Sequence, residues 1–150
     1  MRDRTVTTGA VTRQALAQID IRTQGAGLVE ITDPVRAFVT ETGIMEGVLV
    51  VFIRHTSASL VIQENADPDV RSDIDRFFTR LVPWDETLYR HASEGPDDMP
   101  AHIRSALTQT SLSIPAAGGR PLLGSWQGIY LFEHRARAHL RHVVLHLMGA

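Results

Sequence analysis

No cysteine occurs in the 150 residues, which excludes disulfides, thiolate zinc sites and a cysteine nucleophile. Lysine is missing as well, so all fifteen basic side chains are arginine. Arginine's planar fork suits carboxylate and phosphate, but a GC-rich genome gives the same bias, and the count alone decides nothing. The longest unbroken apolar run is Val48 to Ile53, far short of the roughly 20 residues that a membrane helix needs. The opening Met1-Arg-Asp-Arg-Thr carries no apolar stretch behind its charges, unlike a secretory signal. A net charge of −2 and a pI near 6.4 argue against a broad nucleic-acid face, which needs clustered cationic excess. The expectation is a cytoplasmic protein with neither nucleic acid nor membrane as partner. G-x-G-x-x-G, a Walker loop and a G-x-S-x-G elbow are all absent.

The chain is long enough for one domain with its own core, and its 43% apolar and 21% charged residues are ordinary. Residues 1–11 are polar and expected to be a flexible extension, with the domain over 12–150. Strands are predicted over Arg13–Thr23 and Leu28–Ile31. Asp33-Pro34 predicts a capped helix start with proline at its first position, and Gly43 a stop. Val48–Ile53 reads as a buried strand, and Ser57–Gln63 as the strand beside it. Asp67-Pro68 opens a second helix, with Val70, Ile74, Phe77, Phe78 and Leu81 as its inward stripe and Pro83 as its end. Residues 84–99 are expected to form a loop, and loops of that length inside compact domains tend to carry function. Pro100 is expected to open a third helix with Ile103, Ala106 and Leu107 facing inward. Ser111–Ile114, Pro121–Leu123, Gln127–Phe132 and Arg141–Leu147 complete the predicted strands, with Gly118-Gly119 turning the first pair. Strands early and late, with helices between, predict an α+β fold: a single domain, mainly an antiparallel sheet or sandwich, with about three helices.

Three polar segments stand where a plain scaffold needs none: 55–68, 91–102 and 124–135. Each combines histidine with carboxylate, amide or hydroxyl, and imidazole is both a neutral-pH titrant and the commonest metal ligand. His55 follows directly on an apolar strand, where a side chain can project from a rigid edge into a cleft. Glu64 and Asn65 end another strand with no solvating need for both, whereas Asp67 is explained as a cap. His91 and His102 flank Glu94, Asp97 and Asp98. Their spacing matches no compact metal motif, and His91 as a plain loop residue with Asp98 at a helix start explains them equally well. Glu133 is expected to hold a histidine tautomer from behind or to pair with Arg135. Trp126 reads as core or as a ligand contact, and Gln127 as a reader of an amide or heterocycle edge. His139, His142 and His146 read as surface or interface residues, since no carboxylate accompanies them in sequence.

The chain resembles the YjbQ family, proteins similar to a secondary thiamin-phosphate synthase. The resemblance rests on His-Thr-Ser-Ala-Ser-Leu at 55–60, Glu-Asn at 64–65, Asp-Pro-Asp-Val-Arg at 67–71 and Arg-Phe-Phe at 76–78. It continues with Glu-Gly at 94–95, Asp-Asp-Met-Pro at 97–100, His-Ile at 102–103, Gly-Arg at 119–120, Trp-Gln-Gly-Ile at 126–129 and Glu-His-Arg at 133–135. It implies a compact α+β homotrimer with pockets near subunit boundaries. It also implies a metal or anion site whose histidines map to His55, His91 and His102, with a divalent ion, zinc or magnesium, as cofactor. The activity implied is the joining of a hydroxymethylpyrimidine diphosphate to a thiazole phosphate with release of pyrophosphate, so that the partner is a small phosphorylated metabolite.

Departing pyrophosphate needs positive charge, for which Arg71, Arg104, Arg120 and Arg135 are the candidates. Glu64 or Glu133 would act as general base or as an anchor behind a ligand. Asn65, Ser57, Trp126 and Gln127 would hold substrate. Ala66 stands where the family usually has cysteine, and Ser125 where it has threonine. A non-catalytic metal- or phosphometabolite-binding module and a metal-dependent phosphoester hydrolase are the alternatives.

Overall fold

The computed structural model describes residues 4–150; of the expected N-terminal extension, residues 1–3 lie outside the described residues. The strands are β1 (Arg13–Arg22), β2 (Gly27–Glu30), β3 (Glu46–Ile53), β4 (Ala58–Glu64), β5 (Ser111–Ala117), β6 (Arg120–Pro121), β7 (Gln127–Glu133) and β8 (Leu140–Gly149). The helices are α1 (Thr32–Thr42), α2 (Pro68–Leu81) and α3 (Asp98–Leu107), with one 3-10 turn at Glu86–Leu88. Two antiparallel sheets form, one of five strands in the order β1-β8-β3-β5-β6 and one of three in the order β2-β7-β4. The α+β expectation holds.

Alternation along the strands fixes the layers. Leu49, Val51, Ile53, Val143, Leu145 and Leu147 of the large sheet meet Leu60, Ile129 and Leu131 of the small one, with Val35, Phe38 and Val39 of α1 closing the core. The opposite face of β7 carries Tyr130 and Phe132, and α2 covers it through an edge-on contact between Phe78 and Phe132. Thr23, Glu133 and Arg141 are buried polar residues at one end of the layer between the sheets.

Several local expectations are corrected. β3 and β4 are not partners: β3 pairs with β5 and β8, and β4 with β7. Residues 54–57 therefore carry the chain from one sheet to the other. Asp33 does not cap α1, which begins at Thr32 after Ile31 without a side-chain cap; the Thr32 hydroxyl instead accepts from the Ile129 N–H at 2.9 Å. Asp67 does cap α2, accepting from Asp69 N–H at 2.9 Å, but that helix buries no residue completely, and Phe77 and Leu81 are about half exposed. α3 begins at Asp98 rather than Pro100, and it turns Asp98, Pro100, Ala101 and Arg104 inward while Leu107 faces out. A buried carboxylate and a buried guanidinium on that face made its polarity misleading. Gly43 and the Gly118-Gly119 turn occupy left-handed backbone, with φ of +66°, +59° and +69°, where glycine avoids the Cβ clash.

Candidate functional site

α3 and the loop before it assemble the first cluster. Asp98 and His102 stand four residues apart, on one face of the helix, and His91 reaches them from the loop. One ligand-type atom from each of the three lies within 4.8 Å of the others. Asp98 is almost wholly buried, and its two oxygens have separate duties. Oδ1 accepts from Arg135 Nη1 at 2.7 Å, and Oδ2 faces His91 Nε2 at 2.7 Å and His102 Nε2 at 3.4 Å. Arg135 is fixed in turn by Asp97 Oδ2 at 2.9 Å and the Glu94 carbonyl at 3.0 Å. These carboxylates hold its guanidinium above the ordinary arginine range against the opposing effect of burial. Burial pushes the Asp97 carboxyl up, but the Ala136 N–H and Arg135 outweigh it and hold that group below the usual range.

The tautomer of His102 follows from its bonds. Its Nδ1 lies 2.9 Å from the Thr56 carbonyl, which only accepts, so Nδ1 carries a proton. In the neutral ring Nε2 then presents a lone pair to Asp98 Oδ2. Two electron-rich atoms face each other favourably only with a cation between them, whether a proton or a metal. A histidine whose far nitrogen is tied to a carbonyl, beside a carboxylate oriented by an arginine, is the usual support of a metal ligand. The set of two imidazoles and one carboxylate fits zinc, as three protein ligands with an open position do; magnesium prefers oxygen donors. His91 is half exposed, so the open side faces solvent.

His55 does not join that triad. Its Nε2 accepts from the His142 backbone N–H at 2.8 Å, and its Nδ1 stands 3.3 Å from Arg141 Nη1. With Nε2 used as acceptor, neutral His55 carries its proton on Nδ1 and has no free lone pair for a metal. Burial, then the Arg141 and His142 charges, hold this ring below the ordinary histidine range. His55 and His102 do line one cleft of about 290 Å3, together with Thr56 and Thr110.

The remaining expected site residues are placed as follows. Glu133 is fully buried and paired with Arg141, not with the Arg135 side chain. Burial pushes its carboxyl up, yet Arg141, the Arg135 N–H and the Thr23 hydroxyl together hold it below the ordinary value. It is thus an occupied anchor rather than a free base. Arg104 is buried and donates to the carbonyl of Val82, just past the end of α2, at 2.8 Å. Ser57 Oγ accepts from Arg141 Nη2 at 3.0 Å. Glu64, Asn65, Trp126, Gln127 and Arg71 lie together at the opposite end of β4: Glu64 pairs with Gln127 in register, Asn65 N–H donates to the Trp126 carbonyl at 3.0 Å, and Arg71 lies over the Tyr130 ring at 5.9 Å. Seven residues of strand separate this group from Ser57, roughly 20 Å at the usual rise. Trp126 is exposed, and Gln127 Oε1 accepts from Gly124 N–H at 2.7 Å. Arg120 sits at the β5–β6 turn of the other sheet. Within the chain the four arginines do not form a common clamp.

Sequence reasoning grouped Asp98 with Glu94 and Asp97 beside the two histidines without singling it out as the ligand, and it missed Arg141 altogether. The four-residue spacing of Asp98 and His102 was an available signal; Arg141 had none, because it pairs across sheets. His142 does have a carboxylate, Asp20, with Nδ1 and Oδ1 2.7 Å apart on neighbouring strands.

Similarity to known proteins covers nearly the whole domain. The family profile described as UPF0047 protein YjbQ-like matches residues 17–150. A UPF0047 protein of Synechocystis is 52% identical over 144 residues, 96% of this chain and 98% of that one. The UPF0047 protein YjbQ of Escherichia coli O157:H7 is 50% identical over 103 residues, 69% of this chain and 74% of that one. Among solved structures, a YjbQ/UPF0047 protein of Clostridium acetobutylicum superposes with a TM-score of 0.79 at 35% identity, covering 87% of this chain and 98% of that one. A conserved hypothetical protein of Thermus thermophilus gives a TM-score of 0.78 at 33% identity over 87% and 98% of the two chains. The fold is thus shared with these proteins, and this chain belongs to the YjbQ/UPF0047 family.

Proposed function

We propose that this protein binds a divalent metal ion, zinc rather than magnesium, through His91, Asp98 and His102, and acts there on a phosphorylated small molecule. The observation that carries the reading is the lone pair of His102 Nε2 facing Asp98 Oδ2 at 3.4 Å while Nδ1 is tied to Thr56. When bound, the ion would supply positive charge for a departing phosphate or diphosphate. Arg135 keeps Asp98 aimed, Thr56 keeps His102 aimed, and the cleft between His55 and His102 receives the ligand. Transfer of the thiamin-phosphate synthase type, joining a hydroxymethylpyrimidine diphosphate to a thiazole phosphate with loss of pyrophosphate, is the reaction that the family resemblance offers. The same resemblance supports a homotrimer with the cleft near a subunit boundary, which light scattering of the purified protein tests.

A second reading, metal-dependent hydrolysis of phosphate esters, is favoured by one feature. Arg71, Arg104 and Arg120 lie away from the triad, leaving one protomer without a diphosphate clamp.

The test is metal content, measured by elemental analysis after purification without chelator, together with product formation from the two substrates and phosphate release from monoesters. His91→Ala and His102→Ala should each lose the metal and the activity while keeping the circular-dichroism spectrum. Unchanged metal content and unchanged turnover in both would remove the proposal. Tight metal retention without any turnover would leave a binding module.

A further inference from the structure

We infer that the wall of the cleft beside the proposed metal site carries a separate seat for a phosphoryl group, built from His55 Nδ1 and Ser57 Oγ with the buried Arg141 guanidinium behind them. Donors and acceptors do not balance around the His55 ring. His55 Nε2 accepts from the His142 backbone N–H at 2.8 Å, and a backbone N–H can only donate. A neutral imidazole has one donor and one acceptor, so the ring proton is on Nδ1. Arg141 Nη1, 3.3 Å from Nδ1, is also only a donor and cannot receive that proton. Protonating the ring does not help, because Nε2–H would then face the His142 N–H. Two donors therefore meet with no acceptor between them.

Ser57 adds a third. Its Oγ accepts from Arg141 Nη2 at 3.0 Å, which leaves its own O–H free to donate. His55 and Ser57 both line an open cleft of about 430 Å3, and Arg141 reaches both from behind. The protein supplies donors here and leaves the acceptor to a ligand. Two neutral donors on the wall, backed by a guanidinium, suit a tetrahedral group with several oxygens better than a planar carboxylate with two. Glu133 already neutralises Arg141, so the seat has little net charge and serves as one arm of a larger ligand. The proposed function matters only for where that ligand's other end goes. His102 lines the neighbouring cleft with His55 and bonds the carbonyl of the intervening Thr56, so the phosphoryl seat and the metal triad lie on either side of a single residue.

The experiment uses the full-length protein, treated with chelator and then titrated with inorganic phosphate by calorimetry and 31P line broadening, with acetate in parallel. Saturable phosphate binding is expected, with clearly weaker acetate binding. Ser57→Ala and His55→Gln should each weaken phosphate roughly tenfold, the usual effect of one hydrogen bond to a charged group. Both variants should take up metal as the wild type does, since neither touches His91, Asp98 or His102. No saturable phosphate binding to the chelated wild type would mean that water fills the gap, and would overturn the seat. So would equal acetate affinity, or unchanged phosphate affinity in both variants. Phosphate binding that follows this pattern in a protein taking up no metal would support the seat and sink the proposed metal function.

Discussion

His134 should make the fold acid-sensitive well above the range in which carboxylates titrate. It follows directly on β7, on the face turned away from the core, and is fully buried. Its Nε2 lies 2.9 Å from Ser59 Oγ, which is itself 2.6 Å from the Thr108 hydroxyl, and the ring leans on Phe132 at 4.4 Å. Nδ1 has no partner. Burial, followed by the charges of Arg104 and Arg141 and opposed by Glu133, pushes its pKa from 6.5 down to about 3. The unfolded chain takes up a proton on this ring below pH 6.5, while the native state refuses one until near pH 3. Stability from the neutral ring is therefore complete above 6.5 and is lost progressively as pH falls toward 3. At about 1.4 kcal/mol per pH unit, the loss is roughly 2 kcal/mol by pH 5 and on the order of 5 kcal/mol by pH 3. His134→Gln keeps an acceptor for Ser59 but does not titrate. Urea unfolding at pH 7, 6 and 5 should show a wild-type slope that the variant largely loses, whatever its absolute stability. His55, also held low, is present in both proteins, so the difference isolates His134. Parallel slopes in the two proteins would refute the reasoning.

Glu133→Gln should destabilise by about 3–5 kcal/mol in urea titration, because it strands a buried Arg141 charge. Glu133→Leu combined with Arg141→Met should cost less than Glu133→Gln alone. Arg135→Lys replaces a fork that grips Asp97 and Asp98 together with a point charge. Metal affinity at His91, Asp98 and His102, measured by competition with a chromogenic chelator, should fall about 10- to 100-fold; unchanged affinity would show that Asp98 needs no support. Gly47→Ala would drive a Cβ into the Met148 carbonyl across the β3–β8 pair. At a cost of about 3 kcal/mol for overpacking, the melting midpoint should drop by roughly 6–12 °C.

The architecture was legible where a pattern is local. β-branched runs, the Asp67-Pro68 cap and the Gly118-Gly119 turn each announce themselves within a few residues, and the strands and helices fall near their expected places. Face assignment failed where polar residues are buried. α3 turns Asp98 and Arg104 inward and Leu107 outward, so an apolar stripe names the wrong side. Sheet membership failed between β3 and β4, because a four-residue crossover between sheets reads like a hairpin in one dimension. The same limit split the expected site. Glu64 and Asn65 sit at the far end of β4 from His55, and only a strand drawn at full length separates them.

That crossover also explains why the cleft sits where it does. A chain leaving one sheet at Ile53 and joining the other at Ala58 has residues 54–57 outside both ladders, so their backbone groups need other partners. The Thr56 carbonyl is met by His102, the Ser57 carbonyl by the His134 N–H, and the Arg54 N–H by the His142 carbonyl. α3 is thereby tied to the crossover on one side and β8 on the other. The two histidine environments follow from that tie: His102 gives up Nδ1 to the crossover and keeps Nε2 for a cation, whereas His55 gives up Nε2 to β8 and keeps Nδ1–H for an acceptor. Two imidazoles on one cleft thus offer opposite chemistry, fixed by which backbone group each must satisfy, and under the proposed function a ligand with a leaving phosphate at one end and a second phosphoryl at the other would use both.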